Sequence, residues 1–342
     1  DLIAEASLAL DAEGRFLAVK VEGIANFGAF VSTVAPTIPT MGMAKVLCGL
    51  YAFPAASIAL RCAFSNTVPV DAIRGAGKPE TFILLESLVD QAARETGRDP
   101  IALRRLNFIP PEAFPYRTAL GLRYDCGDYP ALMDAALAEA DAEGFPARRM
   151  ASEARGMRRG LGLACHLHAT GGWGDETSLI RIGEDGVVEA VTGTQSQGQG
   201  HATAYAQIVA ATLGILPDCV RLVQGDTARA PRGGGTGGSS STIISGATLK
   251  RAADAAVAAG MDAAAERLEV AVTDLAYREG RYVVEGTDRF IGLFELAAAV
   301  GGIDGRADFD TTVESWPAGI AIAEVEIDPE TGAVRLDRFS CS

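Results

Sequence analysis

The sequence is poor in the residues that most often announce chemistry. It holds three histidines, and six cysteines at 48, 62, 126, 165, 219 and 341, none of them in a Cys-x-x-Cys pair. Zinc-ribbon and iron–sulfur readings therefore lack their ligand spacing. The cysteines read instead as packing residues of a reduced, cytoplasmic protein. No Gly-x-Ser-x-Gly or His-Glu-x-x-His occurs, which leaves hydrolase readings without an anchor. Positive charge is also scarce: 30 Lys and Arg against 44 Asp and Glu give a net charge of −14. Nucleic acid and anionic membranes would repel such a chain, so neither is expected as a partner. Backbone N–H groups could still hold a phosphate locally. No apolar run reaches membrane-spanning length, and no signal peptide opens the chain.

What is present supports a large folded body. With 48% apolar and 22% charged residues in 342 positions, the chain can bury a substantial core and is long enough for two domains. Three acidic-turn-glycine hairpins are expected: Ser7–Leu10 with Arg15–Val21, Leu179–Ile182 with Val187–Val191, and Ala323–Ile327 with Ala333–Leu336. Helical periodicity and end signals predict helices at Glu80–Thr96, at Pro100–Asn107 after the N-cap Asp99, and at Asp128–Glu143. Further helices are predicted near His201–Leu213, Ile243–Leu268 and Leu293–Val300. The fold class is α+β. The arginine-rich stretch Pro146–Arg159 is weakly patterned and suggests a boundary, dividing the chain into 1–147 and 148–342. Both ends read as cut from a longer polypeptide.

Three loops place glycine or small polar residues where a core segment would not. The first, Pro69–Glu80, contains Arg74-Gly75-Ala76-Gly77 directly before a helix, where backbone can approach a ligand beside a positive helix end. An ordinary turn is the competing reading. The second, Gly193–His201, alternates three glutamines with small residues between a strand and a helix, offering neutral amide donors and acceptors. The third joins Gly225-Asp226-Thr227 to the run Gly233–Thr242, ahead of a long Ala-rich helix. A flexible linker is the competitor there, but its place between a strand and a helix favours a ligand cradle. Cys165, His166 and His168 are expected to pack or line a pocket, since neighbours on a strand point apart.

The order of these motifs resembles the large, molybdenum-cofactor-binding subunit of the xanthine dehydrogenase/aldehyde oxidase/carbon monoxide dehydrogenase family. Tyr51–Pro54, Ser65–Thr67, Ala72–Glu80, Asp99-Pro100 and Leu103–Asn107 are similar to its first molybdopterin-binding region. Gly198–His201, Gly225–Thr227 and Gly235–Ser241 are similar to its second. The resemblance implies two molybdopterin-binding-type domains of mixed sheets with packed helices. It places Ile73, Arg74 and Gly75 beside the metal, and Gln197, Gly198, Gln199, Gly200, His201, Gly238, Ser239 and Ser241 around the pterin and its nucleotide, in the cytosine dinucleotide form. Ala76 would line the substrate pocket, at a position that is phenylalanine in xanthine oxidases. Gly75 stands where carbon monoxide dehydrogenases carry a copper-holding cysteine, so an aldehyde or N-heterocycle is the expected substrate.

By the same resemblance, the catalytic glutamate lies beyond Ser342 and a glycine-rich loop lies before residue 1. No catalytic residue and no direct metal ligand is assigned here, and the span alone is expected to be inactive. An iron–sulfur subunit, an FAD-binding subunit and an oligomeric assembly are the implied partners. The alternative is a non-catalytic binding or assembly module that keeps the fold.

Overall fold

The computed structural model describes residues 2–171, 175–230, 232–309 and 314–342. The architecture is α+β, with several mixed sheets and packed helices. Two compact units form, and the chain enters the first one twice: residues 1–169 with 315–342 make one unit, and 170–314 make the other. Among the described residues, no helix is long and apolar enough to cross a membrane.

In the first unit, strands β1 (Leu2–Leu10) and β2 (Phe16–Asn26) form the first expected hairpin. Asp11 Oδ1 shapes its turn by accepting from the N–H groups of Glu13 (3.0 Å) and Arg15 (2.7 Å). Strand β3 (Ala55–Ala63) adds in parallel to β2. Helix α1 (Lys78–Thr96) ends on left-handed Gly97, and α2 (Pro100–Asn107) is capped by Asp99, which accepts from Ala102 N. Both ends follow the sequence signals. Asn107 then pins the hairpin to α2: its Oδ1 accepts from Phe16 N at 2.7 Å, and its Nδ2 donates to Gly14 O and Leu103 O. Both ends of this buried amide are hydrogen-bonded, which offsets the cost of burying it.

The neighbouring Arg104 is 1% exposed. Its guanidinium meets Glu86 at 3.0 Å and Asp90 at 2.9 Å. Glu86, itself buried on α1, also accepts from the Tyr51 hydroxyl at 2.6 Å and from Cys165 N at 2.9 Å. Burial pushes the Glu86 carboxyl up, and the Arg104 charge opposes that push. One ionic cluster thus ties two helices to strand β4 (Arg158–Leu167).

Helix α3 (Tyr129–Glu139) starts at its Asp128 cap as expected but stops four residues short of Glu143. The suggested boundary at Pro146–Arg159 does not coincide with a division between the compact units. Residues 145–153 form helix α4 (Phe145–Glu153), and β4 follows, both inside the first unit. Strand Ala318–Ile327 pairs antiparallel with β4 on one side and with Val334–Cys341 on the other, which is the third expected hairpin. Three arginines of the stretch that suggested a boundary are ion-paired to acids of strand Ala318–Ile327. Arg148 and Arg159 hold buried Glu324, while Arg155 and Arg335 hold buried Glu326, which also accepts from Ser152 at 2.5 Å. These contacts keep both carboxylates below the ordinary glutamate range. Their partners lie far away in sequence, so the local pattern could not reveal them.

The second unit is built on a four-stranded sheet. Strand β5 (Glu176–Ile182) lies between β6 (Val188–Val191) and β8 (Ile303–Phe309), antiparallel to both, and β7 (Val220–Val223) extends the sheet in parallel to β6. Helices α5 (His201–Leu213) and α6 (Ala247–Leu268) pack on it. Fully buried Ala252, Ala253 and Ala256 let α6 lie close against β8 at Gly305, where a Cβ would stand 2.1 Å from Ala252 O. Helix α7 (Leu293–Val300) takes its expected bounds.

Candidate functional site

Strands β6 and β7 are parallel neighbours, so the loops that leave their C-terminal ends emerge at the same end of the sheet. The loop after β6 is Gly193–Gly200, and the loop after β7 runs to the start of α6. They are bonded together: Gln195 N donates to the Thr236 hydroxyl at 2.9 Å, and the same hydroxyl donates to Gln195 O at 2.7 Å. At their roots the backbones nearly touch, since a Cβ on Gly193 would lie 2.5 Å from Gly233 Cα. Gln224 joins them, its Oε1 accepting from Ser196 N at 3.0 Å.

The two sequence-derived ligand loops of this unit are therefore side by side. Gln197 and Gly198 are exposed, and Gln199 is half-buried with its amide donating to Gln195 O at 3.2 Å and meeting His201 Nε2 at 3.0 Å. Gly198 (φ 104°) and Gly200 (φ 81°) take left-handed conformations with nothing within 4 Å of an added Cβ. Glycine is required there by backbone shape, and the space beside it is open. Gly238 and Ser239 are exposed and also left-handed, while Ser241 is half-buried beside the Tyr205 hydroxyl.

Helix α5 begins at Gly200 with no side-chain cap, so its first N–H groups point toward this open region. His201 is 4% exposed, and its Nδ1 is buried without a hydrogen-bond partner. Burial lowers the His201 pKa, and the nearby Gln224 amide opposes that shift. An orphaned ring nitrogen, an uncapped helix start and neutral amides suit a polar, anionic ligand such as a phosphate-bearing cofactor. The residues present fit a pterin nucleotide.

Beneath the loops lies a layer that the sequence did not disclose. Thr194, 3% exposed, meets the Tyr205 hydroxyl at 3.0 Å and Ser245 Oγ at 3.1 Å. Glu176 lies 2% exposed at the start of β5 and bonds to Thr192 and Gly193. An acidic pair, Asp175-Glu176, at the start of an apolar strand was the available signal, but the inward register of Glu176 was not legible.

The Ile73–Ala76 loop belongs to the first unit. Gly75, Ala76 and Gly77 are all left-handed, at φ 107°, 48° and 85°. The third is forced by close packing: a Cβ on Gly77 would stand 2.1 Å from Ile38 O. Ile73 is 82% exposed and Arg74 is exposed as well. Ile73 and Ala76 line a cleft of about 270 Å³ together with Phe27, Ile38, Met43 and Asp71. Lys78 Nζ donates to Gly75 O at 3.3 Å, and burial with the nearby Lys45 charge lowers the Lys78 pKa. His168 is lowered by burial, then by Lys78 and His166. Cys165 is buried, and His166 stacks edge-on against Phe82, which matches the packing roles expected of them. Among the described residues, no group of three or more His, Cys, Asp or Glu could hold a metal ion directly.

Comparison with known proteins defines the class. The family described as molybdopterin cofactor-binding domain matches residues 135–342 in one form and residues 1–108 in another. The chain belongs to that family, in the version carried by large subunits of carbon monoxide dehydrogenase/xanthine dehydrogenase-type molybdenum hydroxylases. Among individual proteins, it is 33% identical to the gamma subunit of the 6-hydroxypseudooxynicotine dehydrogenase complex of Paenarthrobacter nicotinovorans, over 100% of this chain and 45% of that one. It is 32% identical to the carbon monoxide dehydrogenase large chain of Hydrogenophaga pseudoflava, over 98% of this chain and 45% of the relative. The solved quinoline 2-oxidoreductase of Pseudomonas putida 86 superposes with a TM-score of 0.90 at 28% identity, covering 99% of this chain and 46% of that one. The chain therefore spans about 45% of the length of the curated relatives it matches.

Proposed function

We propose that this chain forms part of the large subunit of a molybdenum hydroxylase that oxidises an aldehyde or an N-heterocycle. On this reading, it grips a molybdopterin cofactor, in the cytosine dinucleotide form, between Gln197–His201 and Gly238–Ser241. The observation that carries the reading is the double hydrogen bond between Gln195 and Thr236, which locks the two loops together at the uncapped start of α5. The first N–H groups of α5 would meet phosphate oxygens, and the amides of Gln197 and Gln199 with His201 Nδ1 would meet the polar edge of the pterin. When bound, the cofactor supplies two-electron redox chemistry at molybdenum. Ile73, Arg74 and Gly75 are the residues of this chain that would stand beside the metal, and Ala76 would face substrate. Ala76 leaves room that a phenylalanine would fill, which suits a substrate not clamped by ring stacking. Iron–sulfur and FAD-binding subunits would complete a cytoplasmic oligomer.

Gly75 carries no thiol, so no copper should be held at this loop, unlike the arrangement that the resemblance assigns to carbon monoxide dehydrogenases. Metal analysis of the full-length complex should find molybdenum without stoichiometric copper, and turnover of aldehydes or N-heterocycles should exceed that of carbon monoxide. Copper in a one-to-one ratio with molybdenum, or rapid carbon monoxide oxidation, would overturn this assignment.

A further inference from the structure

Glu176 is a buried carboxylate placed where the two ligand loops take root. Its Oε1 accepts from the Thr192 hydroxyl at 2.6 Å and from Gly193 N at 2.7 Å. The Thr194 N–H and the Ser245 hydroxyl also donate toward the carboxylate. These contacts fix the first loop as it leaves β6. The same residue fixes the other loop through its backbone, which bridges Gly233, while the next N–H, of Thr177, donates to Arg232 O at 3.1 Å.

The carboxylate also fills the space behind the narrowest approach of the two loops. A Cβ on Gly233 would stand 2.9 Å from Glu176 Oε2, and a Cβ on Gly193 would stand 3.2 Å from it. No cation is among the groups that shift this acid; burial raises its pKa and only neutral donors oppose the rise. A buried charge held by neutral donors alone is costly and adds little to packing. What it provides is a fixed set of side-chain bonds at the root of the first loop, directly behind its closest approach to the second.

We propose that Glu176 is a positioning residue: it sets the spacing of the Gly193–His201 and Gly233–Ser241 loops and so determines how tightly they hold the pterin nucleotide. This rests on the functional reading above. Thr192 and Ser245, both fully buried, act with it as the donors that keep its charge in place.

The test uses the full-length complex with Glu176→Ala and Glu176→Gln. Two quantities are measured: molybdenum and nucleotide per chain, and hydrogen exchange of residues 193–201 and 233–241 against strands β5 and β8. The alanine variant should lose nucleotide affinity by about 10- to 100-fold, the range typical for partners that orient a bound group from behind. It should also lose exchange protection in both loops while the two strands stay protected. Glutamine keeps one acceptor oxygen and the side-chain shape, so it should restore most of both. Wild-type nucleotide content and loop exchange in the alanine variant would overturn the proposal, as would deprotection spread evenly over the whole unit. If the wild-type complex carries no nucleotide, the functional reading fails, and the loop exchange alone still decides whether Glu176 anchors the loops.

Discussion

Arg104→Met is expected to destabilise the first compact unit by about 3–5 kcal/mol, the loss typical when one member of a buried ion pair is removed. The cause is the stranded partner. Glu86 would keep its bonds from Tyr51 and Cys165 but lose the only guanidinium that faces it among the described residues, in a site where burial already raises its pKa. Asp90 is partly exposed and would be rescued by water, so its share of the loss is small. Chemical denaturation of the wild type and the variant measures the difference. Adding Glu86→Gln to Arg104→Met should recover much of the loss, because the amide removes the stranded charge while its oxygen still accepts from the buried donors of Tyr51 and Cys165. Failure to recover would place the effect in lost packing of the Arg104 stem rather than in the stranded charge.

Gly193→Val should have the next largest effect, and it should fall on ligand binding. Any side chain here starts 2.5 Å from Gly233 Cα and 3.0 Å from Arg232 O, and both are backbone atoms that cannot rotate away. Relief requires the two loops to separate. Overpacking of this kind costs about 1–3 kcal/mol. Spent at the loop roots, that strain should weaken nucleotide binding by about 10- to 100-fold. Nucleotide and molybdenum content of the purified complex report it, while circular dichroism should show the sheet of this unit intact. Unchanged content in a folded variant would mean that the close approach of the loops has no part in binding.

The parts of this structure legible in the sequence are those governed by local rules. Asp99 and Asp128 announce helix starts because an N-cap is a contact over three residues, and Gly97 announces a stop because it alone takes the left-handed turn cheaply. All three hairpins appear as expected, since an acidic turn with glycine closes over a few residues. The Gln-rich and Gly/Ser-rich loops were readable because such residues are out of place in a core.

Features that depend on distant partners were not readable. The arginines of Pro146–Arg159 suggested a boundary, whereas Arg148 pairs with Glu324 and Arg155 with Glu326. Strand β3 is alanine-rich, with a single β-branched residue and no aromatic one, and exists through its parallel pairing with β2. The return of residues 315–342 to the first unit is likewise a long-range pairing with no local signature. At the site, Gln199 and His201 could be named from their motif, but Glu176 could not, because its importance lies in which loops it joins. The Leu103–Asn107 motif was recognised by resemblance, and the structure supplies its physical reason: a core leucine, a buried ion pair and an amide that pins the first hairpin.

The central claim is that this chain holds a molybdopterin nucleotide with two particular loops. A crystal structure of the intact, cofactor-loaded protein, with molybdenum located by its anomalous scattering, tests this most directly. The nucleotide should lie against Gln197–His201 and Gly238–Ser241, with its phosphates at the start of α5 and the molybdenum beside Ile73–Gly75. A cofactor bound to another surface, with these loops left in solvent, would contradict the account.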